Sequence, residues 1–546
     1  MKKIFALVMS LVLVLCSANT AFALKDNTVK SGRTGGVLIQ QGTSLKSNLP
    51  KTIESDSALP EYYSSVDEGY VTSVKDQDEQ NTCILFSSTA AMETALLLNG
   101  YGEYDLSEEY GNYWASIRKD GTGWQRDRVN AGAFPNTGYG YLTSGGVVEE
   151  SLFPYMSRTE EYFENLGDIE PLFYAGGIKV ICEDDITVEN MKESIKRYGG
   201  VVSSFAFSDK YLGKNNNAYF CGDALGDDEL ASLGHSVYVV GWDDNYSKEN
   251  FLEGAQPNNN GAWLIKNSWG TFYDYIWISY EDKYLGADLF GGNFAVTDVI
   301  KNHSCNELLN IDTYGTIYYM NFEGAVIDPY DVTFINTFDF SKEMPSISNV
   351  QFTTDNVGAD YDIYYIPTDN GVPTDDETRW VKLAQGQIPY NGTHNISFDP
   401  YIVPDSQGAI GVRIISNDDN SASIGCCEWL GDSVNYQFLP RTQDNRSFIK
   451  SGNESLGLTK YYNYLDDDLG GNFSIRVLAN VQQGDADKNG EINVNDVTNV
   501  QKYCAKKISL TEENIDVADV NNDGVANVRD ATLVQMYIAK MIESFS

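Results

Sequence analysis

A duplicated pattern of oxygen-bearing side chains near the end of the chain limits its fold more than any other feature. Asp-x-Asp-x-Asn-Gly begins at Asp485, and Asp-x-Asn-x-Asp-Gly begins 34 residues later at Asp519. In both copies oxygen side chains stand at positions 1, 3, 5, 9 and 12, and glycine stands at position 6, where the loop must turn sharply. Hard cations such as Ca²⁺ require oxygen ligands at this spacing. The sequence therefore predicts two calcium-binding loops.

The ligand positions follow from that spacing, with position 7 of each loop offering its backbone carbonyl. The first loop supplies Asp485, Asp487, Asn489, Glu491, Asn493 and Asp496, and the second supplies Asp519, Asn521, Asp523, Val525, Asn527 and Asp530. Apolar residues recur at helical spacing after each loop, which predicts a loop–helix unit repeated twice. Residues 473–481 have the pattern of a strand, so the first helix of an EF-hand is not expected there.

Three folded units are expected, because 546 residues are too many for one hydrophobic core. Residues 59–290 combine helical and strand patterns with glycine-rich turns and predict an α+β unit. Residues 300–480 contain short alternating apolar segments between turns, the pattern of an all-β sandwich. Residues 484–546, with the two calcium loops and their helices, complete the multidomain fold as a small α unit.

The first residues predict export from the cell. Residues 1–23 contain two lysines, an apolar run and a final Ala-Phe-Ala, which is the layout of a secretory signal peptide. Residues 24–58 are polar and predict a leader or linker. Lipid attachment at Cys16 is the alternative, but Leu15 stands where lipoprotein signals have a small residue. No later stretch of the sequence has the ~18 apolar residues of a membrane span.

Charge and cysteine content narrow the range of partners. A formal charge of −40 repels nucleic acid and anionic membranes, so neither is an expected partner. The chain has eight cysteines, and removal of the signal peptide leaves an odd number, so at least one thiol is free or shared with another chain. The sequence has no CxxC pair, which argues against a cysteine zinc site.

Among these cysteines, Cys83 is the candidate nucleophile. It stands where polar turn residues give way to an apolar, alanine-rich stretch that reaches Leu98, which places it at the start of a predicted helix. The amide groups and the dipole at a helix start stabilise a thiolate, the form of cysteine that attacks carbonyl groups. The alternative is a small apolar core residue, which is the role of most cysteines.

His235 is the only histidine of the α+β unit, and it lies in a β-branched strand from Gly234 to Trp242. A histidine in a strand is more often structural than catalytic. A second predicted strand follows, however, and it ends in Asn-Ser-Trp-Gly, beginning at Asn267. The oxygen of this asparagine could orient an imidazole, and the tryptophan could shield both from water. The pattern therefore favours a Cys–His–Asn site.

These segments, in this order, resemble the papain-like cysteine peptidases. The resemblance covers residues 59–290, and its most specific part is Asn-Ser-Trp-Gly at 267–270. The run at 74–87 around the cysteine also matches, as does Leu-Pro at 59–60, where the enzyme domain usually starts. Further matches are Gly145-Gly146 and Phe153-Pro154-Tyr155, which look like the family's glycine-lined substrate cleft and its Tyr-Pro-Tyr turn.

The resemblance implies a role for each residue of the site. Cys83 would be the nucleophile, His235 the base and then the acid, and Asn267 the residue that orients the imidazole. Gln77 precedes Cys83 by six residues, which is the family's spacing for the glutamine of the oxyanion hole. Its amide would act with the Cys83 N–H on the oxygen that becomes negative. The implied reaction is hydrolysis of protein or peptide substrates through an acyl-thioester, with no cofactor for catalysis.

Two positions depart from the family's pattern. Gln80 stands where papain relatives usually have a cysteine, and Ile84 stands where they usually have a tryptophan directly after the nucleophile. The first departure only removes a structural disulfide. Ile84 could reshape the wall beside the thiolate, which puts rate and specificity in question more than mechanism.

The middle unit resembles the lectin-like β-domain of some bacterial relatives. Trp380 or Trp429 could stack on sugar rings, which leaves a glycan open as a further partner. Aromatic residues of a β-sandwich more often form its core or pair across strands, so both interpretations remain at this point.

The repeated calcium loop and helix resemble a type I dockerin, the module that docks enzymes onto the cohesins of a scaffoldin in a cellulosome-type complex. The resemblance implies two Ca²⁺ ions, a cohesin partner and an extracellular location, on a cell surface or in a free complex. Val494 and Asn495 in one repeat, and Val528 and Arg529 in the other, would contact the partner. A calcium-stabilised tail without a partner is the alternative.

Three functions of different classes remain open. The leading hypothesis is a secreted cysteine endopeptidase docked on a cohesin-bearing scaffold. The second is a catalytically silent binding subunit, which Ile84 favours and the retained Cys83 and His235 oppose. The third is another Cys–His enzyme, a cell-wall amidase or a transglutaminase-like acyltransferase. Such an enzyme would not be expected to combine Gln77 with the Asn-Ser-Trp-Gly motif.

Overall fold

A computed structural model describes residues 59–545 of the chain with several gaps. The gaps are residues 119–122, 125–131, 156–168, 183–184, 214–216, 224, 288–289, 291, 313–317, 322–327, 417–419, 428–437, 440–445, 452–458, 461–471, 522 and 543–544. The predicted signal peptide and leader, with Cys16, lie outside the described residues. Among the residues described, no helix combines the length and the hydropathy needed to cross a membrane.

The predicted α+β region contains both kinds of element. Its helices are α1 (Cys83–Leu98), α2 (Glu108–Trp114), α3 (Pro135–Gly140), α4 (Val188–Tyr198) and α5 (Asp227–Leu233), and a π-helical turn, Tyr141–Gly145, follows α3. Its strands are β1 (Tyr62–Ser64), β2 (Gly123–Trp124), β3 (Phe173–Ile181), β4 (Val201–Ala206), β5 (Ala218–Tyr219), β6 (Gly234–Asp243), β7 (Ala262–Lys266), β8 (Tyr275–Ser279) and β9 (Asn293–Lys301).

The middle region is all-β, as predicted. Its strands are β10 (Asn306–Leu309), β11 (Tyr318–Asn321), β12 (Asp331–Asp339), β13 (Ser346–Thr354), β14 (Asp360–Asp369), β15 (Val372–Pro373), β16 (Val381–Gln387), β17 (Gly392–Ile402), β18 (Gln407–Ile415), β19 (Ser423–Cys427), β20 (Phe438–Leu439), β21 (Ser447–Ser451), β22 (Thr459–Lys460), β23 (Asn472–Phe473) and β24 (Ile475–Asn480).

Helix α1 lies in the centre of the α+β region, because its residues are small or apolar on nearly every face and Glu93, its one charged residue, is buried as well. Leu85, Met92 and Leu96 are fully buried in one core with Val240 of β6 and Phe294 of β9. A helix that is apolar all round is stable only when protein surrounds it. The helix begins at Cys83 and ends at Leu98, as the sequence predicts.

One sheet of twelve strands passes through both regions. Its order is β10-β24-β13-β17-β3-β9-β4-β6-β7-β8-β5, with β1 paired to β6. Strand β17 of the middle region pairs with β3 of the α+β region, where Thr393 lies opposite Ile178. Both strands are hydrogen-bonded to neighbours from their own region on the other side. The two regions therefore share one continuous β-structure.

A seven-stranded sheet forms the second layer of the middle region. Its order is β15-β14-β18-β12-β21-β22, with β16 paired to β14. Phe352 of the large sheet and Tyr361 of this sheet have ring centroids 5.5 Å apart, and both lie in the main hydrophobic core. The predicted two-layer packing is therefore present, with one of its layers shared with the α+β region.

Of the two tryptophans of the middle region that could stack on sugar rings, the structure describes one. Trp380 donates from its ring nitrogen to the Thr374 carbonyl at 3.0 Å. The Lys450 ammonium lies 4.9 Å from the Trp380 ring centroid, and the Tyr364 ring packs 5.4 Å away. These contacts give Trp380 a packing role within the sheet. Trp429 lies outside the described residues.

A buried ion pair joins the last strand of the middle region to the rest of the chain. Arg476 of β24 donates to both carboxylate oxygens of Asp312, at 2.8 and 2.7 Å, and the two side chains are 1% and 0% exposed. Arg476 also donates to Gln351 and, at 2.7 Å, to the hydroxyl of Ser144 in the π-helical turn. The Gln351 amide donates in turn to the carbonyl of Ala175 in β3, at 2.8 Å.

The tail has the two predicted helices after its loops, α6 (Val494–Cys504) and α8 (Val528–Ile538), and a further helix between them, α7 (Glu512–Ala518). Asn493 and Asn527 cap α6 and α8 in the same way, each in a capping box with the aspartate three residues later. Strand β24 occupies most of the segment predicted as a strand before the first loop. The fold class predicted from the sequence is confirmed.

The first loop of the tail contacts the middle region. Lys488 donates to the Ser304 hydroxyl at 2.7 Å, and Lys342 pairs with Glu491 at 2.7 Å. Val517 of α7 is buried in an apolar cluster with residues of the middle region. Residues 481–484 alone connect β24 to the first loop position, so the connection is short.

Replacement of Arg476 by methionine should destabilise the chain strongly, because it leaves the Asp312 carboxylate buried without its partner. Loss of one member of a buried ion pair lowers the free energy of unfolding by about 3–5 kcal/mol. Arg413→Met is the matched control, since it breaks the Arg413–Asp331 pair, in which both side chains are partly exposed. Urea unfolding followed by tryptophan fluorescence measures both. Equal losses in the two variants would contradict the central role of Arg476.

Candidate active site

The start of α1 places the Cys83 sulfur among backbone N–H groups. Cys83 is the first helical residue and is a free cysteine with no exposed surface. Its sulfur accepts a hydrogen bond from the backbone N–H of Ser236 at 3.3 Å. Because Ser236 directly follows His235 in β6, this bond brings the thiol to the strand that carries the histidine.

His235 and Asn267 are joined directly, as the sequence predicts. Their strands β6 and β7 are adjacent, and His235 Nε2 lies 2.8 Å from Asn267 Oδ1. The backbone N–H of Ser268 donates to the same oxygen at 2.9 Å, which identifies that atom as the acceptor. His235 Nε2 therefore donates the hydrogen, and Nδ1 carries the lone pair. Nδ1 is buried and hydrogen-bonded to no described residue.

Trp269 covers this pair. Its ring stacks on the His235 imidazole with centroids 4.4 Å apart and an angle of 15° between the planes. Phe207 packs edge-on against Trp269, with centroids 4.7 Å apart. The shielding tryptophan expected from the Asn-Ser-Trp-Gly motif is therefore in place, and it covers the imidazole itself.

Burial favours the neutral form of both the Cys83 thiol and the His235 imidazole. It raises the pKa of the Cys83 thiol to about 12, although the N–H groups of Ser236, Ile84 and Cys83 itself oppose the shift. It lowers the pKa of His235 to about 4, although the bond to Asn267 opposes that shift. The N–H groups at the helix start thus favour the thiolate in the expected direction, but desolvation shifts the pKa of the thiol further in the opposite direction.

Gln77 is fully buried beside the same motif. The Ser268 hydroxyl donates to Gln77 Oε1 at 2.6 Å, and the Gln77 backbone N–H donates to the Ser268 carbonyl at 2.8 Å. Gln77 Nε2 donates to the Gln80 carbonyl at 2.6 Å. The structure thus brings Gln77 to the segment that carries Asn267. Ser268 was not singled out from the sequence, but its place within the Asn-Ser-Trp-Gly motif was the available signal.

Ile84 lies in the core and not at a surface beside the thiol. It is 0% exposed, and its side chain packs against Gly138 of α3, where an added Cβ would lie 3.3 Å from Ile84 Cγ1. A larger residue at position 138 would also collide with the Ser88 hydroxyl of α1. Ile84 therefore packs α3 against α1, and its effect on the wall beside the thiol stays a prediction.

The predicted glycine pair lies at the end of the π-helical turn after α3. An added Cβ on Gly145 would lie 2.4 Å from the Trp114 ring. Gly146 has φ +70°, and an added Cβ there would lie 2.9 Å from the Phe173 carbonyl oxygen. Neither position accommodates a side chain, so the backbone of this segment is packed closely and its shape is fixed.

A buried polar cluster supports the site from within. Lys75 pairs with Glu93 of α1 at 2.8 Å, and Lys266 donates to the Thr72 hydroxyl at 3.0 Å. Thr72 is hydrogen-bonded to Glu93 in turn. Because Lys266 precedes Asn267, these contacts connect α1 with the end of β7 and fix their separation.

The two calcium loops are separate from this site and resemble each other closely. Asp485 accepts from the backbone N–H groups of Asn489 and Gly490 at 3.1 and 2.7 Å, and Asp519 accepts from the corresponding groups of the second loop at 3.2 and 2.6 Å. Carboxylate oxygens of Asp485, Asp487 and Asp496 lie within 4.8 Å of one another. Converging carboxylates of this kind fit a hard cation such as Ca²⁺.

The positions expected to contact a partner lie on the surface of the tail. Val494 is 66% exposed and Val528 is 63% exposed, although both are apolar. Asn495 and Arg529 are also exposed. The two repeats therefore present the same kind of surface, an apolar residue followed by a polar one, at the start of α6 and of α8.

Comparison with known proteins agrees with this architecture. Residues 59–283 match the model of the papain family of cysteine proteases, and residues 483–539 match the dockerin type I domain. The solved structure of a clostridial cysteine protease, Cwp84 after propeptide cleavage, is 32% identical, with a TM-score of 0.65, over 77% of this chain and 99% of that chain. This chain therefore belongs to the papain family of cysteine proteases.

A second structure extends the similarity into the middle region. The crystal structure of the cysteine protease and lectin-like domains of Cwp84, a surface layer associated protein of Clostridium difficile, is also 32% identical. It matches with a TM-score of 0.65 over 79% of this chain and 90% of that chain. A match of that extent includes both the α+β and the all-β regions. The chain is thus a papain-like cysteine peptidase with an all-β region and a dockerin.

Two curated cysteine proteases match about half of this chain or less. A cysteine protease of Blomia tropicalis is 23% identical over 271 residues, which are 48% of this chain and 73% of that protein. Cysteine proteinase 2 of Entamoeba histolytica is 28% identical over 207 residues, which are 37% of this chain and 58% of that protein. The chain thus spans little more than half the length of the amoebal relative.

The stability of the chain should show the burial of His235 as a dependence on pH. The unfolded chain protonates this histidine near its ordinary pKa of 6.5, whereas the folded chain does so only near pH 4. The contribution of the buried, neutral His235 to the free energy of unfolding is therefore fully present above pH 6.5. It is lost as the pH falls towards 4, by about 3 kcal/mol for a shift of this size. The advantage of the wild type over His235→Gln in urea unfolding should shrink over that range.

His303→Gln is the matched control, because the imidazole of His303 is only partly buried. The stability advantage of the wild type over His303→Gln should change less with pH than its advantage over His235→Gln. A difference between wild type and His235→Gln that is constant from pH 4 to pH 7 would contradict the burial of His235.

Proposed function

We propose that the protein is a secreted cysteine endopeptidase that hydrolyses peptide bonds through a thioester on Cys83. The observation that carries the proposal is the convergence of side chains from separate segments at one buried point. The Cys83 thiol begins α1, His235 is bonded to Asn267, and Gln77 is bonded to Ser268. A nucleophile, a base with its orienting group, and an amide donor are the parts that acyl transfer requires.

In the first half of the proposed reaction, the sulfur attacks the carbonyl carbon of the scissile peptide bond. His235 Nδ1 takes the proton of the thiol, because Nε2 already donates to Asn267. The carbon–nitrogen bond then breaks, and the imidazolium gives that proton to the leaving amine. The product of this half is a thioester on Cys83.

In the second half, water hydrolyses the thioester. The same imidazole nitrogen takes a proton from the water, and the proton then returns to the sulfur as the carboxylic acid product leaves. The negative oxygen of each tetrahedral intermediate would accept hydrogen bonds from the Cys83 N–H and from Gln77 Nε2. The Gln77 amide nitrogen carries two hydrogens and the Gln80 carbonyl takes one, so the other is available.

The alternatives have less support. The silent binding subunit was favoured by Ile84 alone, and Ile84 packs in the core against Gly138. A cell-wall amidase or a transglutaminase-like acyltransferase would not account for Gln77 and Asn267 held on either side of Ser268. The peptidase accounts for all of these contacts, with Gly145 and Gly146 lining the substrate cleft.

The tail extends the proposal to location and partners. We infer that it binds one Ca²⁺ in each loop and docks the enzyme onto a cohesin of a scaffoldin, outside the cell. The converging carboxylates of the first loop, the matching backbone contacts of the second and the exposed Val494 and Val528 support this role. Protein or peptide would be the substrate, and the middle region could add a glycan contact.

Replacement of Cys83 by alanine should abolish peptide hydrolysis while the fold remains intact, because a buried Cys→Ala change removes little more than the sulfur. Wild-type protein should also gain the mass of one molecule of a papain-directed epoxide inhibitor, and Cys83→Ala should gain none. Peptide turnover and intact mass measure the two effects. Cys221→Ala is the control, since it removes another free, buried cysteine. Undiminished turnover by Cys83→Ala would remove the proposal.

Calcium should drive the folding of residues 484–546 expressed alone. The carboxylates of each loop repel one another without a cation, and the core of the tail is too small to offset that repulsion. The fragment should be largely disordered in chelator and helical with calcium, binding two ions, whereas Asp485→Ala should bind one. Circular dichroism and calorimetric titration measure these outcomes. Helicity that is independent of calcium would contradict the assignment of the loops.

A further inference from the structure

One phenol holds both ends of the loop that precedes the candidate nucleophile. The Tyr155 hydroxyl donates to the backbone carbonyl of Gln77 at 2.9 Å, and it is hydrogen-bonded to the Thr82 hydroxyl at 2.8 Å. Gln77 carries the proposed oxyanion donor, and Thr82 directly precedes Cys83. A single side chain from a distant part of the chain therefore contacts both ends of the loop that separates the two proposed donors of the oxyanion hole.

The loop from 77 to 83 is joined internally at Gln77 and Gln80, where Gln77 Nε2 donates to the Gln80 carbonyl at 2.6 Å. The Gln80 N–H bonds to the Gln77 carbonyl at 3.3 Å, which is a long bond within one turn. The Tyr155 hydroxyl binds the same carbonyl from outside the turn, at a shorter distance. The tyrosine thus joins this loop to a distant part of the chain.

The tyrosine is itself held firmly. Its backbone N–H donates to the carboxylate of Glu150 at 2.5 Å, and its ring packs edge-on against Phe86 of α1 with centroids 4.9 Å apart. Because Phe86 lies one turn after Cys83 on the same helix, the hydroxyl is positioned relative to the nucleophile as well as to the loop.

We propose that Tyr155 is a positioning residue for the oxyanion hole: its hydroxyl sets the separation of Gln77 and the Cys83 N–H. The proposal rests on the proposed peptidase function and assigns to Tyr155 a part in rate and not in substrate binding. A loosened hole stabilises the transition state less well, while the substrate is held elsewhere. The expected signature is therefore a fall in kcat with KM unchanged.

Tyr155→Phe tests the proposal with the full chain, because it removes one hydroxyl and keeps the ring. The kcat per active site, counted by titration with the epoxide inhibitor, should fall by about tenfold or more, with KM within twofold of wild type. The effect should stay below the ~10²–10³-fold loss expected when an oxyanion donor is removed outright. Tyr390→Phe is the matched control, since it removes a hydroxyl bonded to Thr297 at 2.8 Å where β9 meets the middle region.

A double variant separates positioning from general packing. Gln77→Ala should lower kcat by ~10²–10³-fold, and Tyr155→Phe should then add less than about threefold, because the donor that it positions is gone. Independent losses that multiply would overturn the proposal, as would a Tyr155→Phe enzyme with wild-type kcat per titrated site. An inactive wild type would overturn the peptidase function and this inference together, whereas an active wild type with an indifferent Tyr155→Phe would overturn only the inference.

Discussion

The buried ion pair of Arg476 and Asp312 is the contact on which the arrangement of the chain most depends. Removing two charges from water costs several kcal/mol for each ion, so such a pair persists only when every donor and acceptor is satisfied. Here the guanidinium is shared among Asp312, Gln351 and Ser144. Its three partners belong to three different parts of the chain, and the ion pair requires all of them to be in place at once.

That requirement connects the middle region to the active site. Ser144 lies in the turn directly before Gly145 and Gly146, the segment proposed to line the substrate cleft. Gln351 reaches the carbonyls of β3, to which the middle region is also joined by backbone hydrogen bonds. The all-β region is therefore part of the framework of the proposed enzyme and not an appended module.

Burial has two effects at the site itself. It raises the pKa of the Cys83 thiol, and it strengthens each hydrogen bond that orients the imidazole.

The sequence predicted the elements that depend on local spacing. The start of α1 at Cys83, the strand of His235, the end of β7 before Asn267 and the loop–helix repeats all follow from periodicity and turn chemistry over short stretches. Contacts across long separations that no recognisable motif marks were not predictable. Arg476 and Asp312 are 164 residues apart, and their meeting depends on strand order, which one sequence does not specify.

The state of the site was also beyond sequence reasoning, for a physical reason. The position of Cys83 at a helix start was predicted correctly, and the neighbouring N–H groups act on the sulfur in the expected direction. The extent of burial decides in which direction the pKa of the thiol is shifted. That burial includes the stacking of Trp269 on His235 and the packing of Phe207 against Trp269. The sequence also could not show that Gly138 of α3 would lie against Ile84.

The short connection between β24 and the first calcium loop has a mechanical consequence. A connection of four residues is short, and the first loop also contacts the middle region through Lys488 with Ser304 and through Glu491 with Lys342. With so short a connection, the tail and the rest of the chain should rotate together. If a scaffold carries this enzyme, attachment of the tail would therefore set the direction in which the cleft faces. The enzyme would then reach other proteins through movements of the scaffold.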